Sequence, residues 1–441
     1  MSGAADGLPP GRRAASAAAI AAAISVTVLD AAMVNIALPF AAADLRLSPA
    51  EAVWLVNAYQ ITVVGLLIPA SALGEILGFR RVWAWGLALF TLGAVSCAFA
   101  PGFAPLLAAR VAQGAGSAAV MALTAALVRH TYPQSQLGRA IGTNAMTVAA
   151  CSAVGPSLGA AVLSVAPWPA VFVAHVPIGL AALLAGTRLL PRPEPETRPF
   201  DGVAAALNAG AFGAMFLGLD LLLHAPIAGM AALALALLCF QLLLRRELGK
   251  PAPMLPLDLL RIREVRLAVL ASSCIFAAHM VTVVALPFHL SAAGLPAWQI
   301  GLALTPYPIV LGVMAPFAGR WADQGHSSAI SCLLGGVVLA LALLALALLR
   351  PTVPLAVGAI LAVAGLGFGF FQAPNNRTML AAAPRARAGS AGGMQATARV
   401  LGQSFGAMLA AMAFTLAGPP MAFAAGAVLA AGAGLFSALR R

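Results

Sequence analysis

The sequence predicts an all-α polytopic membrane protein with 14 transmembrane helices, and three observations carry that reading. Hydrophobic residues make up 62% of the 441 and charged residues only 9%, where soluble domains carry roughly a quarter charged. The apolar residues fall in repeated runs of about 20, enough to cross a hydrocarbon core of roughly 30 Å. Those runs are continuous rather than alternating, which excludes a membrane β-barrel.

The runs place spans at about 15–38, 51–73, 82–100, 104–128, 139–163, 168–190, 202–222, 226–244, 267–290, 298–318, 328–349, 354–374, 390–413 and 418–438. An even number puts both termini on one side. Residues 1–14 read as a polar cytoplasmic arm containing Arg12 and Arg13. A signal peptide fits poorly, because the apolar run behind the arginines is too long and continues to Asp30 and Asn35. With the N-terminus inside, 21 of the 25 basic residues fall in cytoplasmic segments. Only Arg46 and Arg350 fall outside, and Arg110 and Arg399 lie within spans. A miscounted span would scramble that asymmetry, so the positive-inside rule supports the count.

The net charge of +12 is therefore topological. The basic residues form short clusters between spans, not a stripe on one face, and no nucleic-acid partner is expected. All of them but Lys250 are arginine, which with the abundant alanine suits a GC-rich bacterial genome. The expected location is the bacterial cytoplasmic membrane. The five cysteines (Cys97, Cys151, Cys239, Cys274, Cys332) fall inside spans without paired or metal spacing, and read as small packing residues.

Two seams divide the chain. A linker at 191–201 carries the proline-rich PRPEPETRP of Pro191–Pro199, and a segment at 245–266 has charges at both ends around PAPMLPLDLL, as expected of chain lying along a membrane surface. Six spans precede the linker (15–190), two lie between the seams (202–244) and six follow (267–441). The two sixes echo each other. SALGEILGFRR at Ser71–Arg81 matches APFAGRWADQG at Ala315–Gly325: small residues, an acid, then glycine at a helix–helix turn. SAVGPSLGAA in the fifth span matches RVLGQSFGAM in its late counterpart. Parallel repeats around a central cavity are a transporter signature.

Single residues sharpen this. Asp30 sits inside TVLDAAMVNIALP, and a carboxylate in mid-span costs about 3 kcal/mol on insertion scales. It reads as an ion or proton site facing a watery cavity; the alternative is a structural hydrogen bond to a neighbouring helix. Arg110, embedded in the fourth span, needs an acid or several carbonyls. Whether that acid is Asp30 stays open in the sequence.

LDAAMVNIALP, the GE…G…RR turn, RVAQGAG at Arg110–Gly116 and AVGPSLG at Ala153–Gly159 resemble the successive motifs of major facilitator superfamily exporters. The layout of six, two and six spans, with WPAVFVAHVPIG and PLDLLRIREVR, resembles the fourteen-span drug:proton antiporter branch, also called multidrug or quaternary-compound exporters. The resemblance spans nearly the whole chain, and it implies two six-helix halves plus two inserted helices. It implies proton coupling at Asp30 and Arg110, and gating turns formed by Glu75, Gly78, Arg80 and Arg81 in the early half and Arg320 and Asp323 in the late half. The family turn usually has aspartate followed by arginine, where this chain has Glu75 and Ile76. Gly155, Pro156 and Gly159 match the antiporter helix motif: two glycines four residues apart on one face, and a proline that frees a carbonyl. Ala160 replaces the family's final glycine.

Asn35, Gln113, His279, Arg399 and Gln403 are the candidates for a substrate cavity, although Asn35 lies about 140° around the helix from Asp30. Arg399 reads first as a structural residue. His175, where the branch commonly has asparagine, is expected to make one polar contact near the outer end of its span. There is no GxxxxGK[ST] loop or HExxH pattern, so no enzyme and no cofactor are expected, with a proton gradient as the energy source. The expectation is a monomeric exporter in the lipid bilayer that exchanges protons for lipophilic or amphipathic small molecules. The alternatives are a dedicated exporter of one endogenous metabolite or antibiotic and, less favoured, a proton-coupled importer.

Overall fold

The computed structural model describes residues 7–133, 136–193, 199–248, 257–324, 326–382 and 388–440. The parts of the linker at 194–198 and of the second seam at 249–256 lie outside the described residues. So do the side chain of Asp323 and the glycine that follows it in the late turn, Gly325.

The early helices are α1 (Pro10–Asp44), α2 (Pro49–Leu77), α3 (Phe79–Ala98), α4 (Phe103–Thr131), α5 (Leu137–Val165), α6 (Ala170–Val173) and α7 (Val176–Leu189). Next come α8 (Gly202–Leu221) and α9 (Pro226–Glu247), then a 3₁₀ turn at Leu257–Arg261. The late helices are α10 (Arg263–Ala292), α11 (Ala297–Leu304), α12 (Pro306–Asp323), α13 (Ser328–Leu349), α14 (Pro354–Ala382), α15 (Ala388–Leu416) and α16 (Pro419–Ala438). Among the described residues, 14 stretches are long and apolar enough to cross a membrane, and they match the expected spans one for one. Two spans are broken. Pro177 and Pro306 lack the amide hydrogen a continuous helix needs, and the sixth and tenth spans divide beside them into α6–α7 and α11–α12. α1 begins at Pro10, so Arg12 and Arg13, expected on a polar arm, stand in its first turn.

Capping is written in the sequence. Ser48 Oγ accepts from Glu51 N at 3.2 Å while Glu51 Oε2 accepts from Ser48 N at 2.8 Å, a reciprocal capping box that starts α2. Asp201 caps α8 by accepting from Ala204 N at 3.0 Å, and its other oxygen pairs with Arg246 of α9 at 2.8 Å. That clasp closes the α8–α9 hairpin, and Asn208 ties α8 to α2 by donating to Gly65 O at 2.7 Å.

The helices form two compact units: 1–34, 61–155 and 166–254 in the first, and 35–60, 156–165 and 255–441 in the second. Helices α1, α2 and α5 contribute residues to both. In the first unit α3 packs on α4 and α7. A Cβ on Gly116 of α4 would run into the backbone of Gly86 and Phe90 on α3, so the two backbones touch. In the second, α10 packs on α14, α15 and α16, and Gly402 and Gly406 of α15 leave no room for a Cβ against the carbonyls of Ser273 and Ala277. Lipid tails are as apolar as leucine, so close contact of this kind, rather than hydrophobic exclusion, holds membrane helices together.

Candidate functional site

Arg110 and Gln113 stand one turn apart on α4 and therefore share a face. Gly93 of α3 presses on Gln113, where a Cβ would come within 2.9 Å of its backbone nitrogen. That face meets Asp30 of α1. Arg110 Nη1 donates to Asp30 Oδ2 at 2.8 Å and to Gln113 Oε1 at 2.6 Å, and Gln113 Nε2 donates to Asp30 Oδ1 at 2.8 Å. The three side chains form a closed ring of charge-assisted hydrogen bonds. Asp30 and Gln113 are 0% exposed and Arg110 1%. The contact left open by the sequence is thus an ion pair out of reach of water.

Three further residues complete the shell. His175 Nε2 lies 3.7 Å from Asp30 Oδ1, at the start of α7 where Pro177 breaks the span. Its buried ring sits 5.6 Å from Phe90. The one polar contact expected of His175 is therefore with Asp30. Phe172 faces the Arg110 guanidinium at 5.7 Å, within cation–π range. Cys97 Sγ lies 3.7 Å from Gln113 Oε1. Sequence reasoning missed Phe172 and Cys97. A histidine two residues before a proline inside a span was the available signal for His175.

The arrangement holds one carboxyl whose two charge states differ sharply in what surrounds them. Ionised, Asp30 neutralises Arg110 and accepts from Gln113. Protonated, it removes the negative charge that faces the Arg110 guanidinium, and loss of one side of a buried ion pair is strongly unfavourable. Gain or loss of a proton here must be answered by a change in packing, hydration or ligand.

The antiporter helix motif lies close by. A Cβ on Gly155 of α5 would collide with Ala32 of α1, two residues from Asp30. Pro156 and Gly159 belong to the second unit, where the Pro156 carbonyl faces Gly301 of α11 and Ser157 Oγ bonds Thr305 Oγ1 at 2.6 Å. Asn35 is buried, in the stretch of α1 assigned to the second unit.

The second unit holds the other candidates. His279 Nδ1 and Tyr307 Oη share a hydrogen bond at 3.0 Å, their rings stacked at 5.2 Å, with Phe368 5.2 Å from the imidazole. Tyr307 and Phe368 carried no signal in the sequence. Arg399 and Gln403 are half-buried on α15, and Arg399 has no side-chain partner among the described residues. At the early turn, Gly78 takes φ 94°, which only glycine adopts readily. Arg80 donates to the carbonyls of Arg188 and Leu190 at 3.4 and 3.3 Å, Glu75 is half-buried and Arg81 exposed. Arg320 is exposed in the last turn of α12.

The sequence profile described as Major Facilitator Superfamily matches residues 20–407. The chain belongs to that superfamily. It is 41% identical over 446 residues to "Uncharacterized transporter YebQ" of Escherichia coli, covering 99% of this chain and 97% of that one. It is 30% identical to "Multidrug efflux pump LfrA" of Mycolicibacterium smegmatis, over 92% of this chain and 82% of that one. Identity to "Riboflavin transporter RibZ" of Clostridioides difficile is 28%, over 87% and 84%. The solved structure of the POT family transporter PepTSo superposes with a TM-score of 0.72 at 16% identity, covering 98% of both chains, a likeness of fold. The protein is a multi-pass membrane transporter of this superfamily.

Proposed function

We propose that the protein is a proton-coupled secondary exporter that expels lipophilic or amphipathic small molecules by alternating access. The observation that carries this reading is the buried ring of Asp30, Arg110 and Gln113. A carboxyl in mid-span is rarely idle, and this one on α1 faces Arg110 of α4 and His175 at the start of α7. In the proposed cycle Asp30 takes a proton from the outer side, Arg110 loses its counter-charge, and the packing around α1, α4 and α7 changes until the proton leaves inward. Gly155 packed on α1 beside Asp30 supports a motion that involves α5. The arginine asymmetry supports cytoplasmic termini and a cytoplasmic-membrane location.

At 100 mV and one pH unit, one inward proton supplies about 3.7 kcal/mol, enough for a roughly 500-fold gradient of a neutral substrate. The multidrug efflux relative supports export of varied amphipathic compounds. The riboflavin transporter supports the second reading, a carrier dedicated to one metabolite.

The test uses inside-out vesicles energised to an acid interior, with lipophilic cations, neutral antibiotics and riboflavin added in turn. Proton release from the lumen that depends on an added compound supports antiport. Release with riboflavin alone selects the second reading. Compound uptake that persists with no proton movement, and after a protonophore, contradicts coupling.

A further inference from the structure

The first unit carries a second charged site, of which the transport reading uses only Arg80, in the early gating turn. Where α1 and α3 begin and α4 and α7 end, a cleft of about 690 Å³ is lined by Arg12, Arg80, Arg188, Arg192 and His130, with Gly7–Pro9 and Pro191–Pro193 closing its sides. Its volume is that of a small-molecule site. No carboxylate lines it among the described residues.

Helix capping explains part of this cluster. Arg12 Nε donates to Leu189 O at 3.1 Å, and Arg80 to the carbonyls of Arg188 and Leu190, so both stabilise the negative end of α7. Capping uses one nitrogen of each guanidinium and none of Arg188 or Arg192. Those two have no side-chain partner among the described residues. Four like charges held around one cavity repel one another unless an anion enters, and planar guanidinium forks match phosphate oxygens in pairs. The cleft also lies at the ends of membrane-length helices, the level at which lipid phosphates stand.

We infer that this cleft binds a phosphate-bearing polyanion, either the doubly charged headgroup of an anionic lipid or a soluble diphosphate. Basic pockets between transmembrane helices at a cytoplasmic surface are suited to such headgroups.

The full-length protein in phosphatidylcholine nanodiscs, with and without tetraoleoyl cardiolipin, and the protein in detergent titrated with inorganic pyrophosphate separate the two sources. Native mass spectrometry reads the bound lipid and calorimetry the pyrophosphate. The variant Arg12→Gln/Arg188→Gln/Arg192→Gln spares the half-buried Arg80. It is expected to weaken binding about a hundredfold, and Arg192→Gln alone about fivefold. The control Arg245→Gln/Arg261→Gln/Arg266→Gln removes as much charge elsewhere and is expected to stay within about threefold of wild type. Retention of cardiolipin without pyrophosphate binding assigns a lipid. Pyrophosphate binding that displaces cardiolipin assigns the shared phosphate chemistry. If wild type binds neither probe, or if the cleft variants bind as wild type or no worse than the control triple, the inference is overturned. Should the triple misfold, the exposed single variant at Arg192 decides.

Discussion

Replacing Arg110 by Gln strands the Asp30 carboxylate at a place with 0% exposure. The acid loses its charge-assisted bond at 2.8 Å and keeps the Gln113 donor, also at 2.8 Å. Breaking a buried pair from one side destabilises by about 3–5 kcal/mol, and the surviving donor puts the expectation near the low end, about 3 kcal/mol. The double variant Asp30→Asn/Arg110→Gln removes both charges and leaves amides that can bond one another and Gln113. It should recover about 2 kcal/mol of that loss, and that recovery plus the loss in Asp30→Asn alone is the coupling energy of the cycle. Unfolding by SDS in mixed micelles, followed by far-UV circular dichroism, measures all four proteins. The order expected at neutral pH is wild type, then double variant, then Arg110→Gln. Additive single losses, or an Arg110→Gln protein as stable as wild type, would refute the view that this pair is one electrostatic unit.

Three further outcomes follow from the geometry. Gly406→Val drives a side chain into the Ala277 carbonyl and should lower the yield of folded protein on size exclusion, by about 1–3 kcal/mol or more of overpacking. Gly312→Ala meets nothing within 4 Å and should raise stability by about 0.5–1 kcal/mol, through helix propensity alone. Tyr307→Phe removes the hydroxyl bonded to His279 at 3.0 Å and should cost about 1 kcal/mol in SDS unfolding; no change would show that this bond is not formed in the membrane.

Charge placement made much of the protein legible in advance. Asp30 and Arg110 stood out because ionised groups interrupt apolar runs, and the arginine asymmetry fixed a span count that the helices match. The contact between the two residues was not legible, because it depends on how α1 and α4 pack across 80 residues of sequence. The approach of His175 to Asp30 was not legible for a related reason. Hydropathy treats the sixth span as one rod, while His175 stands at the break between α6 and α7. The Tyr307 and Phe368 pairing with His279 was invisible, since aromatic residues in an apolar span look like any other core. The extra turns of α1 and α14 escaped because polar helix ends lie beyond a hydrophobic window.

The central claim is that Asp30 carries the coupled proton. The most direct measurement compares two modes of transport in Asp30→Asn proteoliposomes at matched protein: exchange of labelled for unlabelled substrate at equilibrium, and accumulation driven by a pH gradient. Asparagine keeps an acceptor for Arg110 but cannot exchange a proton. Exchange should survive within a few-fold while proton-driven accumulation disappears. Accumulation retained at the wild-type rate would place the coupling proton on another group.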